Sequence, residues 1–348
     1  MNEIKKIVIF YFSGTGNARQ IAVWLSEFAA KKSIDCQIFN IATTDQNTLN
    51  SLSKNLLVII ISPVHGFNFP KITLNFIRHF PKGKNRIVLM NTRAGMKIAR
   101  FVTPGLSGIS FMLSSLILRA KGYKIVGQIP FDMPSNWLSI HPALNENTVK
   151  FLYKKNYKRV EKHSNKIFSG KSDFLARRDL VQDILISPIA FGYYLVGRFA
   201  FAKSFYASVD CDNCGLCVKQ CPVKAIKMAN ERPYWTFQCE SCMQCMNICP
   251  KKAIETAHGL FVAVSLICSM LTTIILHNIL KISIQSLFIK LLIFGLLFFA
   301  LLWVFYKIQH LLLRNKFIGK IITLASLTHY KFWGRYYLRS KNQRQIKF

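Results

Sequence analysis

Hydrophobic residues in the first 170 positions occur in short uninterrupted runs separated by longer amphipathic stretches. Runs rich in β-branched and aromatic residues predict strands at residues 7–12, 36–40, 56–61, 86–90 and 123–128. Helix-like stretches separate several of these runs, and such alternation is typical of a parallel sheet covered by helices. The pattern therefore predicts an α/β domain over residues 1–170, built on a doubly wound parallel sheet.

Two long apolar stretches lie near the carboxyl end. Residues 260–280 contain no formally charged side chain, and residues 291–306 form a second such run that residues 282–289 extend. Because a helix needs about 20 residues to cross the hydrocarbon layer, these stretches predict a transmembrane hairpin over residues 258–306. Two buried core helices or an interfacial pair are the alternatives. Basic residues after the second span place both ends of the hairpin, and the tail at 307–348, in the cytoplasm.

Residues 171–209 are predicted to form a linker. Its apolar part, residues 184–202, contains Pro188 and Arg198, so a third span is less favoured than docking on the membrane or covering the cysteine-rich region. The amino terminus offers only six apolar residues, 7–12, which is too short for a signal-peptide core. We therefore expect residues 1–257 to stay in the reducing cytoplasm, where structural disulfides are rare.

Eight of the ten cysteines lie in two runs with identical spacing. Each run has three cysteines at intervals of three and a fourth, before proline, four residues later, and the pattern repeats after 28 residues. Three closely spaced cysteines fit one cubane cluster, and the cysteine before proline ligates the cluster of the other repeat. We therefore predict two [4Fe–4S] clusters in a small α+β ferredoxin domain over residues 210–257. Their ligands are Cys211, Cys214, Cys217 and Cys249 for the first, and Cys239, Cys242, Cys245 and Cys221 for the second.

Chemistry argues against other uses of these cysteines. Zinc binds paired Cys-x-x-Cys motifs, but it requires neither the third cysteine nor a Cys-Pro pair in both halves. Disulfides conflict with the expected cytoplasmic placement, and unrelated structural thiols would not repeat in one register. The two remaining cysteines, Cys36 and Cys268, lie in a predicted strand and a predicted span, and we expect them to be small apolar fillers.

A turn rich in glycine and hydroxyl groups follows the first predicted strand. It consists of Ser13, Gly14, Thr15, Gly16 and Asn17, and a helix-like stretch comes directly after it. Backbone N–H groups of such a turn, with the positive end of the helix dipole, form a cradle for a phosphate. The turn lacks the lysine of nucleoside-triphosphate loops and the spacing of dinucleotide loops. Neutral donors of this kind suit a monophosphate that is not hydrolysed.

The stretch YFSGTGNA after a first strand resembles the flavodoxins, a five-stranded family that binds FMN. The resemblance implies that residues 13–17 bind the phosphate and that loops after strands three and four flank the isoalloxazine ring. It implies that Phe67 or Phe69 stacks on the ring and that Gly66 offers its backbone to flavin N5, while packing on the core is the alternative for both phenylalanines. Thr92 and Gly95 belong to the second of these loops. The family loop usually ends in threonine, and Ala18 removes that phosphate donor.

The charge balance bears on the partners. The chain has 47 Lys and Arg against 15 Asp and Glu, a formal net charge of +32, which could attract nucleic acid, anionic lipid or an acidic protein. Residues 260–348 carry 12 basic and no acidic residues and are the most apolar part, which favours anionic membrane lipids there. Basic residues are scattered over residues 1–170 rather than clustered, so nucleic-acid binding is not expected.

A flavodoxin-like domain followed by a two-cluster ferredoxin domain resembles the flavodoxin–ferredoxin fusion proteins of anaerobic bacteria. The resemblance implies electron transfer without an assigned substrate. We expect a membrane-anchored protein that passes electrons between the clusters and FMN and docks acidic soluble redox carriers or a redox enzyme. The alternative is an enzyme, a flavin-dependent reductase of a quinone or small molecule at the membrane face. We predict no catalytic residues; His65 with Arg93 is the one candidate pair for that alternative.

Overall fold

A computed structural model of the chain describes residues 4–45, 49, 53, 56–98, 101–279 and 287–334. The chain divides into two compact units. Unit 1 is formed mainly by Met1–Trp137 and Ala143–Leu195, and unit 2 by Leu138–Pro142 and Val196–Arg335. The first 25 residues of the predicted linker, 171–195, therefore belong to unit 1.

Unit 1 contains a sheet whose five main strands are parallel. The strands are β1 (Lys6–Tyr11), β2 (Asp35–Asn40), β3 (Leu57–Pro63), β4 (Arg86–Ile98), β5 (Phe101–Thr103) and β6 (Lys124–Pro134). Their order is β2-β1-β3-β4-β6, and the short β5 is antiparallel to the end of β4. This is the flavodoxin-like order of a doubly wound fold, so the predicted fold class is confirmed.

Among the residues that the structure describes, four helices cover this sheet: α1 (Asn17–Ala30), α2 (Lys71–His79), α3 (Ser110–Ala120) and α4 (Glu146–Phe168). Ile7 and Ile9 of β1 are fully buried, as expected for a strand covered on both faces. Trp24 of α1 meets Tyr153 and Tyr157 of α4 edge-on, with ring centroids 5.8 and 5.5 Å apart. The core thus lies between the sheet and these helices.

Strand β4 is longer than the hydrophobic pattern predicts. The prediction ends it at residue 90 because polar residues follow, but β4 continues to Ile98 and pairs with β6 as far as Gly95 and Pro134. The polar residues are buried with partners: Asn91 Nδ2 donates to Ser110 Oγ at 3.1 Å. The residues predicted as a loop after the fourth strand therefore lie within the strand.

Arg93 holds three parts of unit 1 together. Its Nε lies 2.6 Å from Asp132 Oδ1 of β6, and its Nη1 lies 2.7 Å from Asp179 Oδ2 in the segment after α4. That segment also binds the loop before α3 through Asp183, whose carboxylate accepts the Gly108 N–H at 2.7 Å. It consists of a 3-10 turn (Leu175–Asp179), α5 (Leu180–Leu185), α6 (Ser187–Gly192) and a π-helical turn (Tyr193–Gly197).

Unit 2 begins with α7 (Arg198–Ala202) and contains two small antiparallel strand pairs. β7 (Phe205–Ala207) pairs with β10 (Ile254–Thr256), and β8 (Ile226–Ala229) pairs with β9 (Arg232–Trp235). Two short helices, α8 (Leu216–Lys219) and α9 (Gln244–Ile248), occupy equivalent positions in the two cysteine repeats. This is the small α+β architecture that the duplication predicts.

Two long apolar helices follow. α10 (His258–Ile274) continues into a π-helical turn (Ile275–Ile279), and α11 covers Leu287–Leu312. The stretches His258–His277 and Ile289–Leu312 are long and apolar enough to cross a membrane. The predicted connection at 280–286 and the tail beyond residue 334 lie outside the described residues.

The predicted basic tail, 307–348, begins within the last turns of α11, and a short helix, α12 (Lys316–Leu324), follows. Asn315 caps it, because its Oδ1 accepts the N–H groups of Phe317 and Ile318 at 2.9 and 3.2 Å. Phe317 and Ile321 on this helix are exposed, beside Lys316 and Lys320. A helix with exposed apolar and basic side chains is of the kind that lies on a membrane surface.

Candidate functional site

One cavity in unit 2 brings together cysteines from both repeats. Cys221 of the first repeat lines it with Cys239, Cys242 and Cys245 of the second. Trp235 of β9 is part of the same wall. These four cysteines are the set that the spacing predicts for the second cluster.

Three of the four cysteines predicted for the first cluster, Cys211, Cys217 and Cys249, lie near one another. Burial raises the pKa of Cys217 to about 11, and the nearby charges of Cys211 and Cys249 add to that rise. Cys249 of the second repeat therefore lies near two cysteines of the first repeat. Cys214 is exposed, and its backbone N–H donates to Asp212 Oδ1 at 3.3 Å.

Both repeats use the same rare backbone conformations. Left-handed φ angles of 59°, 68° and 51° occur at Asn213, Gly215 and Lys224, and angles of 48°, 60° and 52° occur 28 residues later, at Ser241, Met243 and Lys252. Successive turns of this kind point backbone N–H groups toward one centre. The N–H groups of Ala225 and Ala253 donate to Cys221 Sγ and Cys249 Sγ at 3.2 and 3.3 Å. Such N–H···S bonds favour thiolates that ligate a metal.

Burial raises the pKa of three of the four thiols that line the cavity. Burial raises the pKa of Cys242 to about 12, and the charges of Cys221 and Glu240 add to the rise. Burial also raises the pKa of Cys239 and Cys245 above the ordinary range. Ligation therefore has to release protons, because a cluster binds the thiolate form. The donor set, the cavity and the N–H···S bonds all fit an iron–sulfur cluster.

The predicted phosphate turn lies between β1 and α1. Gly16 adopts a left-handed φ of 102°, and its N–H donates to Ser13 Oγ at 3.0 Å. No side chain caps α1, so the N–H groups of its first turn remain available to an anion. Asn17 contributes only its backbone, because its Nδ2 donates to Pro134 O and its Oδ1 accepts the Tyr153 hydroxyl, both at 2.9 Å. The turn, which also contains Gly14 and Thr15, fits a phosphate.

The predicted ring-binding residues after β3 form a tight turn. Gly66 and Phe67 adopt left-handed φ angles of 53° and 64°, and the backbone N–H of His65 donates to Asn68 O at 2.8 Å. Phe69 is buried and packs edge-on against Phe111 with centroids 6.2 Å apart. Of the two predicted stacking residues, Phe67 is therefore the one that is partly exposed.

An aromatic side chain of the same unit already covers Gly66. The ring of Tyr193 lies so close that a Cβ atom at position 66 would overlap it. Trp137 supports this ring edge-on, at a centroid distance of 6.0 Å. The face that sequence reasoning assigned to flavin N5 is thus occupied by the chain itself, and the ring of FMN fits there only if the Tyr193 side chain moves.

The second loop predicted to flank the flavin ring, residues 91–95, is part of strand β4. Thr92 is buried in β4, where Pro63 and Phe131 are its neighbours on the adjacent strands. A Cβ atom at Gly95 would overlap the Asp132 backbone, so glycine permits the close approach of β4 and β6. The guanidinium of Arg93 is fully buried between its two carboxylates, which leaves the candidate pair His65 and Arg93 without a free cation.

Three residues of interest escaped the sequence reasoning. They are Tyr193 on Gly66, Asp183 and Lys203, and all three lie in the stretch predicted to be a linker. Burial raises the pKa of Asp183 to about 6, against the lowering effect of the Gly108 N–H. The only sequence signal for Lys203 is a single cation in the apolar run AFAKSFYASV.

Residues 210–254 match a family model described as a 4Fe-4S dicluster domain. Together with the sheet order of unit 1, this match gives the chain a flavodoxin-like domain followed by a ferredoxin-type domain. That combination indicates electron transfer. A comparison with the curated proteins found no match.

Among solved structures, the chain is similar to rubredoxin:oxygen oxidoreductase from Desulfovibrio gigas, with 15% identity, a TM-score of 0.31, and coverage of 47% of this chain and 37% of that one. A flavodoxin from the domain Archaea shows 12% identity and a TM-score of 0.30 over 46% of this chain and 99% of that one. The Fusobacterium nucleatum flavodoxin bound to flavin mononucleotide shows 16% identity and a TM-score of 0.31 over 47% of this chain and 97% of that one. The chain spans little more than a third of the first of these proteins.

Proposed function

We propose that this chain is a membrane-anchored electron-transfer protein that passes electrons between two [4Fe–4S] clusters and an FMN-type flavin. The observation that carries the proposal is the cavity where Cys221 of one repeat joins Cys239, Cys242 and Cys245 of the other. The clusters, when bound, exchange one electron each, and a flavin exchanges one or two. The proposal includes membership of the family of flavodoxin–ferredoxin fusion proteins of anaerobic bacteria.

Each cluster would be ligated by cysteines from both repeats. Cys211, Cys214, Cys217 and Cys249 would hold the first cluster, and the cavity cysteines the second. Because each repeat supplies a ligand to the other's cluster, loss of one cysteine before proline would remove a ligand from the cluster held mainly by the other repeat. The buried Ala225 and Ala253 fill the space behind these cysteines and donate N–H groups to sulfur.

The phosphate turn supports the flavin part of the proposal. Ser13, Thr15 and the first N–H groups of α1 offer neutral donors and a positive helix end, which suit a monophosphate. Phe67 is the partly exposed aromatic residue nearest in sequence to Gly66. Tyr193 must leave Gly66 before an isoalloxazine ring can contact that backbone.

Membrane anchoring rests on the two apolar helices. We propose that His258–His277 and Ile289–Leu312 cross the membrane with both termini in the cytoplasm. Lys316 and Lys320 of α12 would then lie beside anionic lipid headgroups. The formal net charge of +32 would attract acidic soluble redox carriers or a redox enzyme, with an association rate that falls as salt rises.

One contact favours a second candidate function, reduction of a quinone or small molecule at the membrane face. The Tyr306 hydroxyl of α11 donates to Phe205 O at 3.0 Å and accepts the Trp235 N–H at 3.3 Å. Phe205 and Trp235 both line the cysteine cavity. A helix apolar enough to cross a membrane therefore packs against the wall of that cavity. Quinone-dependent oxidation of the reduced protein in vesicles would support this candidate, and absence of turnover would leave the carrier.

The central experiment is a metal and flavin count on protein extracted and purified without air. Two clusters require about eight iron and eight sulfide per chain, and a bound flavin requires about one FMN. Far fewer than eight iron after careful reconstitution would defeat the cluster assignment. Eight iron without flavin would retain the clusters and remove the flavin from the proposal. A spectrum before and after reduction separates the two cofactors.

A further inference from the structure

Lys203 is a buried cation beside the cysteine cavity. Lys203 lies two residues before β7 and is only 1% exposed. The ammonium Nζ donates to Trp235 O at 2.5 Å and to the Tyr234 hydroxyl at 3.2 Å. Trp235 is itself part of the cavity wall. The charge therefore lies directly behind the cavity rather than in solvent.

Aromatic rings surround the ammonium. The centroids of Tyr234, Phe237 and Tyr306 lie 4.3, 4.5 and 4.7 Å from Nζ. Rings at these distances stabilise a cation through their negative faces, but they do not neutralise it. Three rings from two different parts of unit 2 thus hold the charge in a fixed place.

No carboxylate forms an ion pair with Lys203 among residues 4–45, 49, 53, 56–98, 101–279 and 287–334. The groups whose charges act on it are Cys239, which attracts it once the thiol has lost its proton to a bound cluster, and Lys307, which repels it. A buried ammonium without a counter-ion is costly, and such charges in proteins are normally paired. Cys239, the group that attracts Lys203, is a predicted ligand of the second cluster.

We propose that Lys203 is the built-in counter-cation of the second [4Fe–4S] cluster and raises its reduction potential. This inference rests on the proposed function. The reduced cluster carries one more negative charge than the oxidised one, so a fixed positive charge nearby favours the reduced form. Glu240 lies on the same wall and acts in the opposite sense. Lys203 is a positioning residue in this role, because it acts on the cluster from behind Trp235 of the cavity wall and contacts no substrate.

Low solvent exposure makes the effect specific to this lysine. Lys227 of β8 belongs to the same small module, but its side chain is exposed, where water and salt screen its charge. Removal of either lysine lowers the net charge of the chain by one. A comparison of the two therefore separates a local charge effect from an overall one.

The test is a spectroscopic redox titration of the full chain in detergent, without air. Lys203→Met removes the charge, Lys203→Gln removes it but keeps an N–H donor toward Trp235 O, and Lys203→Arg keeps the charge. Lys227→Met is the matched control. Cys221→Ser disturbs the second cluster and so assigns its reduction wave. Iron and sulfide are counted in every sample, which tests the proposed function separately from this inference.

We expect the reduction wave of the second cluster (the second wave) to move to more negative potential in Lys203→Met and Lys203→Gln. The wave of the first cluster and the iron count should stay unchanged. Lys203→Arg and Lys227→Met should stay near the wild type. An unchanged second wave in iron-replete Lys203→Gln overturns the inference and leaves the clusters in place, as does an equal shift in Lys227→Met. If only the arginine variant loads iron, the charge is needed to hold the cluster, which supports the inference. If none of the three loads iron, the role is one of shape, and the inference fails.

Discussion

The ring of Tyr193 lies directly on Gly66, in the turn after β3 where a flavin ring was expected. Both residues belong to the same unit, and Trp137 packs edge-on against the Tyr193 ring. The aromatic contact that flavin would make with this backbone is therefore already made by the protein. Flavin binding has to compete with it.

Tyr193→Ala should bind FMN more tightly than the wild type, because no side chain then has to leave Gly66. We expect a fall in dissociation constant of several-fold, measured by quenching of FMN fluorescence on titration with the detergent-solubilised protein. Phe191→Ala is the control, since Phe191 is an exposed aromatic residue of the same segment. Weaker binding by Tyr193→Ala would mean that the phenol ring stacks on the flavin instead of standing in its place.

Arg93→Met should destabilise unit 1. The change leaves the carboxylates of buried Asp132 and partly buried Asp179 without their main cation, which typically costs about 3 kcal/mol or more. For a unit of this size that lowers the thermal midpoint by about 6 °C or more, measured by circular dichroism. Arg178→Met removes a half-exposed partner of the same Asp179 and should cost less than about 1 kcal/mol. Equal midpoints for the two variants would contradict the structural role of Arg93.

Asp183 gives the stability of unit 1 a distinct pH dependence. Its pKa is raised in the folded state from 3.8 to about 6 by burial, so the folded state holds a proton that the unfolded state has lost. The resulting stabilisation is complete below about pH 4 and disappears as pH rises through about 6.

Asp183→Asn lacks this titration and still offers an oxygen to the Gly108 N–H. The stability of the wild type relative to Asp183→Asn should therefore increase as pH falls from about 7 to 4, by at most about 3 kcal/mol. Denaturant melts of both proteins at each pH measure that difference and cancel the contribution of His163, whose pKa is lowered by burial. A difference that does not vary with pH would remove Asp183 from this role.

Single cysteine variants should separate ligands from fillers. Cys221→Ser should lower the iron content of the purified chain by about four, since one cluster loses a thiolate. Cys268→Ser should keep all of the iron, because Cys268 is buried between α10 and α11 with Val264 and Leu302. Iron analysis of both variants under identical reconstitution decides the assignment. Full iron content in Cys221→Ser would exclude it as a required ligand.

The sequence patterns predicted those elements that depend only on residues close together in the chain. β1 was predicted from its apolar run, and the cysteine motifs from spacing within 28 residues, because both depend on neighbours in the chain. The end of β4 was set too early because Arg93 looks like a loop residue until Asp132 and Asp179 are seen beside it.

The contacts missed from the sequence all depend on distant partners. Tyr193 lies 127 residues after Gly66, and Lys203 meets Tyr306 from the last apolar helix. Neither residue belongs to a motif, and each acquires its meaning only when the fold brings its partner close. Phe69 shows the reverse case, since its place next to Gly66 in the sequence suggested a ligand contact and its side chain packs in the core instead.

The hydrogen bonds of Tyr306 have a practical consequence for anyone who wishes to study the metal module in isolation. A shortened, detergent-free version that stops at residue 257 would lack this phenol, and with it the partner of Phe205 O and the Trp235 N–H. Lys203 would also lose one of its three rings. The hydrophobic carboxyl-terminal region therefore supports the metal module, and its removal would expose the wall of the cysteine cavity.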